Sequence, residues 1–300
     1  MHKIFGYACA ALAAAPLLAN AEDFDYEANF GFSQVDIDST VTTMFPDLPA
    51  TSTSTDLSVR NLSLGGTWFF EGLSDDKGPR ALAAFVDRAS SLTVRYNDVS
   101  GDADSNGVSL SGRYVWKNSG WFVRGAFANS EQNNGPQEID VSTINATLGK
   151  YIGETTSIEL ALISQDVDFA STLFGSQSSS NSGVALSFDH LGDLNAQWQY
   201  SVGLSASSES FNGSSGRYTG NFSLYPNRDI SLDLGITSEL GGGGSDGTAV
   251  SIGAGWFFTP QLEGNLRLGF FDEGDENPDS AFVDVDTDRT EVGISIRYRF

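Results

Sequence analysis

Only one cysteine occurs in the 300 residues, Cys9, and it lies in an Ala-rich apolar stretch at the amino end. Without a second cysteine no disulfide can form. Histidine is nearly as scarce, with His2 and His190 alone, so a His/Cys metal cluster cannot be assembled. Basic side chains number 16 against 39 acidic ones, a net charge of −23. So acidic a chain cannot bind nucleic acid by neutralising phosphates. Proline is limited to 8 residues, and beyond the amino end there is no apolar run long enough to cross a bilayer as a helix. A His-based catalytic centre is left with His190, which has no facing serine or aspartate in a nucleophile motif.

The first 21 residues read as an export signal. His2 and Lys3 form a basic start, Ile4 to Leu18 is apolar, and Ala19-Asn20-Ala21 is a small-x-small cleavage site before Glu22. Cys9 sits too early in the apolar stretch to be a lipid-attachment site. Removal of residues 1–21 leaves 300 − 21 = 279 residues, and loss of Lys3 takes the charge from −23 to −24.

What fills those 279 residues is alternation. Helical periodicity is hard to find, and segment after segment repeats with a period of two. Candidate strands fall at about 26–38, 56–71, 80–97, 107–117, 121–130, 139–151, 157–169, 183–190, 195–207, 217–225, 230–240, 247–258, 262–271 and 288–300. The last is the clearest. Val292, Ile294, Ile296, Tyr298 and Phe300 alternate with Glu291, Gly293, Ser295, Arg297 and Arg299. An apolar strand running out to its final aromatic residue is an exposed edge unless it pairs with another strand, and a closed barrel leaves no edge. This ending resembles the C-terminal strand of Gram-negative outer-membrane β-barrels, porins included. The resemblance implies that Phe300 and Tyr298 belong to the signal read by the barrel-assembly machinery.

The connections support the same reading. Short ones (72–79, 118–120, 152–156, 191–194, 226–229, 259–261) alternate with mostly longer ones (40–55, 98–106, 131–138, 170–182, 208–216, 241–246, 272–287). Short periplasmic turns and long outer loops are the membrane-barrel pattern. All five tryptophans, Trp68, Trp116, Trp121, Trp198 and Trp256, stand beside short turns and share the parity of their strand's apolar face. With Tyr298 and Phe300 they form one aromatic girdle at one interface. The opposite faces are polar or small, as in Gln197-Gln199-Ser201 and Thr219-Asn221-Ser223, and would line a wet interior. The expected fold is therefore all-β: a single-domain antiparallel up-and-down transmembrane barrel over 22–300, about fourteen strands, with twelve or sixteen as alternatives. Two places resist. In strand three the parity of Leu82, Ala84 and Val86 sends Arg88 to the lipid unless a bulge lies at 87–91. In strand six the apolar parity switches between Ile139/Val141 and Ile144/Ala146/Leu148, which calls for a bulge or a late start.

Function follows from the interior. Arg95, Arg113, Lys117, Arg124, Arg267 and Arg297 are set against Glu27, Glu71, Glu159, Asp233, Glu263 and Glu291 on the inward parity, so the acidic excess falls to the loops. The pore-lining candidates are Arg95, Arg113, Arg124, Asp233, Glu263, Arg267, Glu291 and Arg297. The short turn at 118–120 sets Arg113 opposite Arg124. An acidic mouth over a mixed lumen favours cations. The expected activity is passive diffusion of small hydrophilic solutes and ions with a mild cation preference, without enzymatic chemistry and without a cofactor. The resemblance is to monomeric porins of this size rather than to sixteen-stranded trimers. A filled lumen is the alternative, because Phe69, Phe85, Phe122, Phe257 and Phe271 point inward; the protein would then act as a surface or structural barrel. Strands begin too soon after residue 21 to leave room for an N-terminal plug. The run Asp102-x-Asp104-x-Asn106-Gly107 matches half of a calcium loop, but position twelve is Arg113 where a bidentate Glu is needed. Acidic loops could also bind divalent cations or bridge to lipopolysaccharide in the surrounding membrane.

Overall fold

The computed structural model describes residues 23–43, 51–74, 77–102, 104–134, 137–171, 175–210, 214–240, 247–273 and 283–300. Residues 1–22, on which the expected export signal falls, and the tips of most long connections lie outside them.

Fourteen strands close into one barrel in which every neighbour in the chain is a neighbour in the sheet. They are β1 (Asp23–Thr43), β2 (Thr51–Ser74), β3 (Ser91–Gly101), β4 (Asp104–Trp116), β5 (Trp121–Asn134), β6 (Gln137–Ile152) and β7 (Thr156–Ser171). Then follow β8 (Gly175–Asp193), β9 (Gln199–Ser210), β10 (Ser214–Asn227), β11 (Ile230–Leu240), β12 (Gly247–Phe257), β13 (Leu262–Glu273) and β14 (Val283–Arg299). β14 returns to β1, and Tyr26 and Phe300 exchange backbone hydrogen bonds of 2.9 Å in both directions. No unpaired edge is left, which is what a lipid environment demands of a sheet. The outward faces carry half-exposed Leu, Val and Ile, such as Val94, Leu110, Leu162, Leu186, Ile236 and Ile294. A water-soluble fold would have buried them; here they are the lipid-facing surface.

Both described chain ends and the tight turns at 117–120, 153–155, 228–229 and 258–261 gather at one end of the barrel, the turn end. The other, the loop end, differs from expectation. Most strands run a few residues past their expected loop-end limits, and β8 starts at Gly175 where 183 was expected: β1 and β2 are 21 and 24 residues long, and β7 pairs with β8 out to Ser171 and Gly175. About ten residues suffice to span a bilayer, so the loop-end hairpins project beyond it. These stretches are rich in Ser, Thr and Gly with water on both faces. They pair by backbone and show no apolar alternation by which to be read.

Strand six needs neither a bulge nor a late start. β6 begins at Gln137 and keeps an unbroken register with β5 and β7. Ile139 and Val141 share the inner face, opposite Gln132 and Ser130. Strand three is a larger correction. Residues 80–90 are not strand: Arg80–Leu82 is a 3₁₀ turn and Ala83–Val86 a single turn of helix, α1, and β3 starts at Ser91. Pro79 starts the turn and the Ala-Leu-Ala-Ala run that follows it prefers helix. Nor is there a bulge at 87–91. Arg88 takes the left-handed conformation, with φ 53, which costs a non-glycine residue about 1–2 kcal/mol.

Candidate translocation pathway

The turn end of the bore is crossed by residues 77–90, the connection from β2 to β3. One side is anchored on the β10–β11 turn and β14. The Arg80 amide donates to the Arg228 carbonyl at 3.0 Å, Arg228 Nε donates to the Gly78 carbonyl at 3.1 Å, and the Arg80 guanidinium pairs with the Asp229 carboxylate. Arg299 Nη1 donates to the Arg80 carbonyl at 3.1 Å. The other side is anchored on β2, β4 and β6. The Tyr151 hydroxyl donates to the Phe85 carbonyl at 3.1 Å, and the Val115 amide donates to Ser90 Oγ at 3.0 Å. The Arg88 guanidinium lies 4.7 Å above the Tyr151 ring and donates to the Gly153 carbonyl, so it faces inward and not the lipid. In a ring of fourteen strands β2 and β10 stand six apart one way and eight the other. The segment therefore runs from wall to opposite wall.

Apolar packing fixes it there. Phe24, Phe69 and Leu73 of the wall bury against Ala83 and Ala89, while Val115, Phe122 and Tyr151 bury around Phe85. Each such Phe or Leu contributes about 1.5–3 kcal/mol, so the segment is a packed part of the fold. Phe122 can lie flat on the wall because its neighbour is Gly149: a Cβ there would stand 2.2 Å from the ring. Phe69, Phe122 and Phe257 face inward and are buried, as their parity implied, and Phe271 faces inward and is half-buried. Phe85 reaches the lumen from α1 and not from a strand. The inward phenylalanines pointed to a filled lumen; the obstruction that the fold shows is the turn-end connection at 77–90, which folds inward and packs against Phe69 and Phe122.

The pore-lining candidates all fall on the inner face, in three groups and two isolated positions. Arg113 and Arg124 are direct cross-strand partners, as are Trp116 and Trp121 on the outer face. Like charges so placed repel by up to about 1 kcal/mol, and the pair diverges. Arg113 lies over Phe122 at 4.7 Å and donates to the Tyr151 hydroxyl, while Arg124 turns to Glu159 at 3.2 Å. Asp189 and Asn221 complete a cavity of about 230 Å³ with them, just above Leu82 and Phe85. Arg297 and Glu263 belong to a second group at the β1–β14 seam. Arg297 stands 3.1 Å from Glu263 Oε2, at ion-pair distance but without hydrogen-bond alignment, and 3.5 Å from Glu27. Arg299, which is buried, donates to Glu27 at 3.1 Å and lies over Phe257 at 5.1 Å. This residue was not among the pore-lining candidates, although its inward parity placed it. Asp233 accepts from Ser231 at 3.0 Å, and Arg95 sits between Gly65 and Ser109. Arg267 and Glu291 lie higher, toward the loop end.

A family model described as "Putative general bacterial porin" matches residues 49–287, most of the chain. The chain belongs to this porin family. No curated protein matches it. Among solved structures it is similar to the Acinetobacter baumannii outer membrane protein Omp33, with 16% identity over 93% of this chain and 99% of that one and a TM-score of 0.57. It is also similar to a mutant of the monoaromatic hydrocarbon channel TodX, with 8% identity, 92% and 91% coverage and a TM-score of 0.58. A bacterial polysaccharide outer membrane secretin gives 12% identity, 92% and 98% coverage and a TM-score of 0.53. At such identities the likeness concerns the fold. The porin resides in the outer membrane.

The remaining expectations map onto this porin as follows. Trp68, Trp116, Trp121, Trp198 and Trp256 are all exposed on the outer face at the turn end, with Phe300 beside them. Tyr298 shares that parity and stacks with Phe300 at 6.1 Å, but it is only 8% exposed. His190 sits among outward aromatics near Phe188 and Tyr200 and shares a 2.8 Å hydrogen bond with Thr156, while Ser187 is on the inner face. The half calcium loop is strand and turn: Asp102 accepts from the Ser58 amide at 2.7 Å, and Asp104 and Asn106 extend along β4. Among the described residues no acidic or histidine group of three could hold a metal ion. The acidic excess is not confined to loops. Asp56, Asp38, Asp288 and Asp272 stand side by side on four adjacent strands at the loop end, on the outer face.

Proposed function

We propose that the protein is a passive diffusion channel for small hydrophilic solutes and ions, narrowed at its turn end by residues 77–90. The observation that carries this is the inner face itself. Above the crossing segment it is lined by Ser, Thr, Asn, Gly and charged residues around open cavities. It does no chemistry on its solutes, and no cofactor enters the reading. The turn end faces the periplasm, and residues 1–21 are the export signal. Swelling of liposomes containing the refolded protein tests the function: uptake of small sugars and amino acids should exceed that of protein-free liposomes, and equal rates would overturn it. Orientation has its own check. An epitope inserted at Gly243, outside the described residues, should be reached on intact cells and one at Ser119 should not.

A mild cation preference fits the overall charge of −23. Arg124 is the lever, since Glu159 and Asp189 flank it. Changing Arg113 and Arg124 together to Glu should strengthen cation selectivity, read as a shift in reversal potential under a salt gradient. An unmoved potential in a folded, conducting variant would place both residues off the path of the ions.

The crossing segment also favours a second reading, a barrel whose lumen stays filled and whose surface does the work. In either case the aspartate row on β2, β1, β14 and β13 bears on its surroundings. Directly opposed like charges are unfavourable, and divalent cations shared with lipopolysaccharide phosphates would relieve them. Millimolar Ca²⁺ should then raise the melting temperature relative to chelator, since a ligand bound only by the folded state stabilises it. Identical melting curves would count against that contact.

A further inference from the structure

The loop-end half of the lumen holds a cavity of about 560 Å³ against β10 to β14, within the range of small-molecule sites. Its floor is hollowed by small inward residues, Gly235, Ala249, Ser251 and Gly269. Above them stand three arginines and two glutamates. Arg217 and Glu239 face each other across β10 and β11 and pair at 2.7 Å, which cancels their charges. Arg267 stands between Gly253 and Gly293 on the neighbouring strands, donates to Ser251 Oγ at 3.3 Å and has no ion pair among the described residues. Arg289 stands beside Phe271, its cross-strand partner, and has no ion pair among the described residues. Glu291, facing Gly269, is likewise unpaired among them. The unpaired groups sum to one net positive charge inside an acidic protein. Beside them lies the Phe271 ring, seated against Gly247, where a Cβ would come within 2.8 Å of it.

We propose that Arg267, Arg289 and Phe271 form a subsite for small organic monocarboxylates with an apolar body, resting on the channel reading above. A guanidinium binds a carboxylate through paired, charge-assisted hydrogen bonds. The carboxylate lies between Arg267 and Arg289, and the apolar body lies on the Phe271 ring. Glu291 limits the site to a single negative charge and repels dianions.

Titration calorimetry on the refolded barrel in detergent, with benzoate as the probe, tests this. Benzoate should bind saturably, and benzyl alcohol and benzylammonium at least about tenfold more weakly. R267Q/R289Q should lose about tenfold or more in benzoate affinity while keeping its heat-modifiable folded form. E291Q, which removes one acid and leaves the arginines, should bind benzoate several-fold more tightly; this variant decides the matter if the double variant does not fold. Absence of saturable binding, benzyl alcohol binding as well as benzoate, an unaffected double variant or an E291Q that binds no better would each overturn the subsite. Binding in detergent does not depend on conduction. Failed liposome swelling with intact benzoate binding would therefore count against the channel alone, and the converse against the subsite alone.

Discussion

Replacing Phe300 by Asp should abolish the heat-modifiable folded form in cells and lower its outer-membrane level at least about tenfold. Phe300 closes the barrel. Its backbone exchanges two 2.9 Å hydrogen bonds with Tyr26, and its ring stacks on Tyr26 at 5.6 Å and on Tyr298. The direct energetic loss is small. A backbone pair survives any side chain, an aromatic stack is worth about 0.5–1.5 kcal/mol, and a carboxylate near the interface costs about 1 kcal/mol or less. Fourteen paired strands do not come apart for that. A severe loss in cells would therefore report failed recognition of the terminal strand by the assembly machinery. Two controls separate the causes: Phe300→Tyr should assemble normally, and purified Phe300→Asp should still refold in detergent. Normal outer-membrane levels of the Asp variant would show that the terminal ring is not read.

The barrel was legible because lipid and water impose opposite demands on alternate residues. Strands β4, β5, β12 and β14 show this most clearly, and their registers, including Trp116 against Trp121, could be read directly. Legibility stopped where that contrast stops. At the loop end both faces meet water, so Ser, Thr and Gly carry no signal and the hairpins run longer than their pattern shows. At residues 80–90 the apolar residues are genuine, but they bury against the inside wall. A pattern of apolar side chains does not say on which side of the wall they are satisfied. The misfit at Arg88 was the one available clue, and its cause was a left-handed residue leaving a helical turn. Inward arginines were identified by parity alone. Their division into a seam network at Glu27, a pair diverging at β4 and β5, and guanidiniums of Arg267 and Arg289 with no ion pair among the described residues depends on neighbours set by closure of the barrel.

Shortening the crossing segment should produce the largest functional change. Replacing residues 77–89 by a two-residue glycine turn would remove Phe85 and the Arg80 anchors from the bore. Phe69, Phe122 and Tyr151 would remain on the wall, exposed to the lumen. The β2–β3 register begins at Phe69 and Ser91 and involves none of the deleted residues, so closure should survive. Wall residues would lose part of their apolar cover, at about 25 cal/mol for each Å² exposed, and melting should fall by several degrees. Conduction should move the other way, since the remaining inner face is wide enough at fourteen strands to admit water.

Single-channel recording in planar bilayers, comparing the intact protein with this shortened variant, is the most direct measurement. Small, interrupted currents from the intact protein and openings at least severalfold larger and steadier from the variant are expected. Equal conductance in the two would show that residues 77–90 do not stand in the path. Silence from a folded, shortened barrel would contradict a channel altogether.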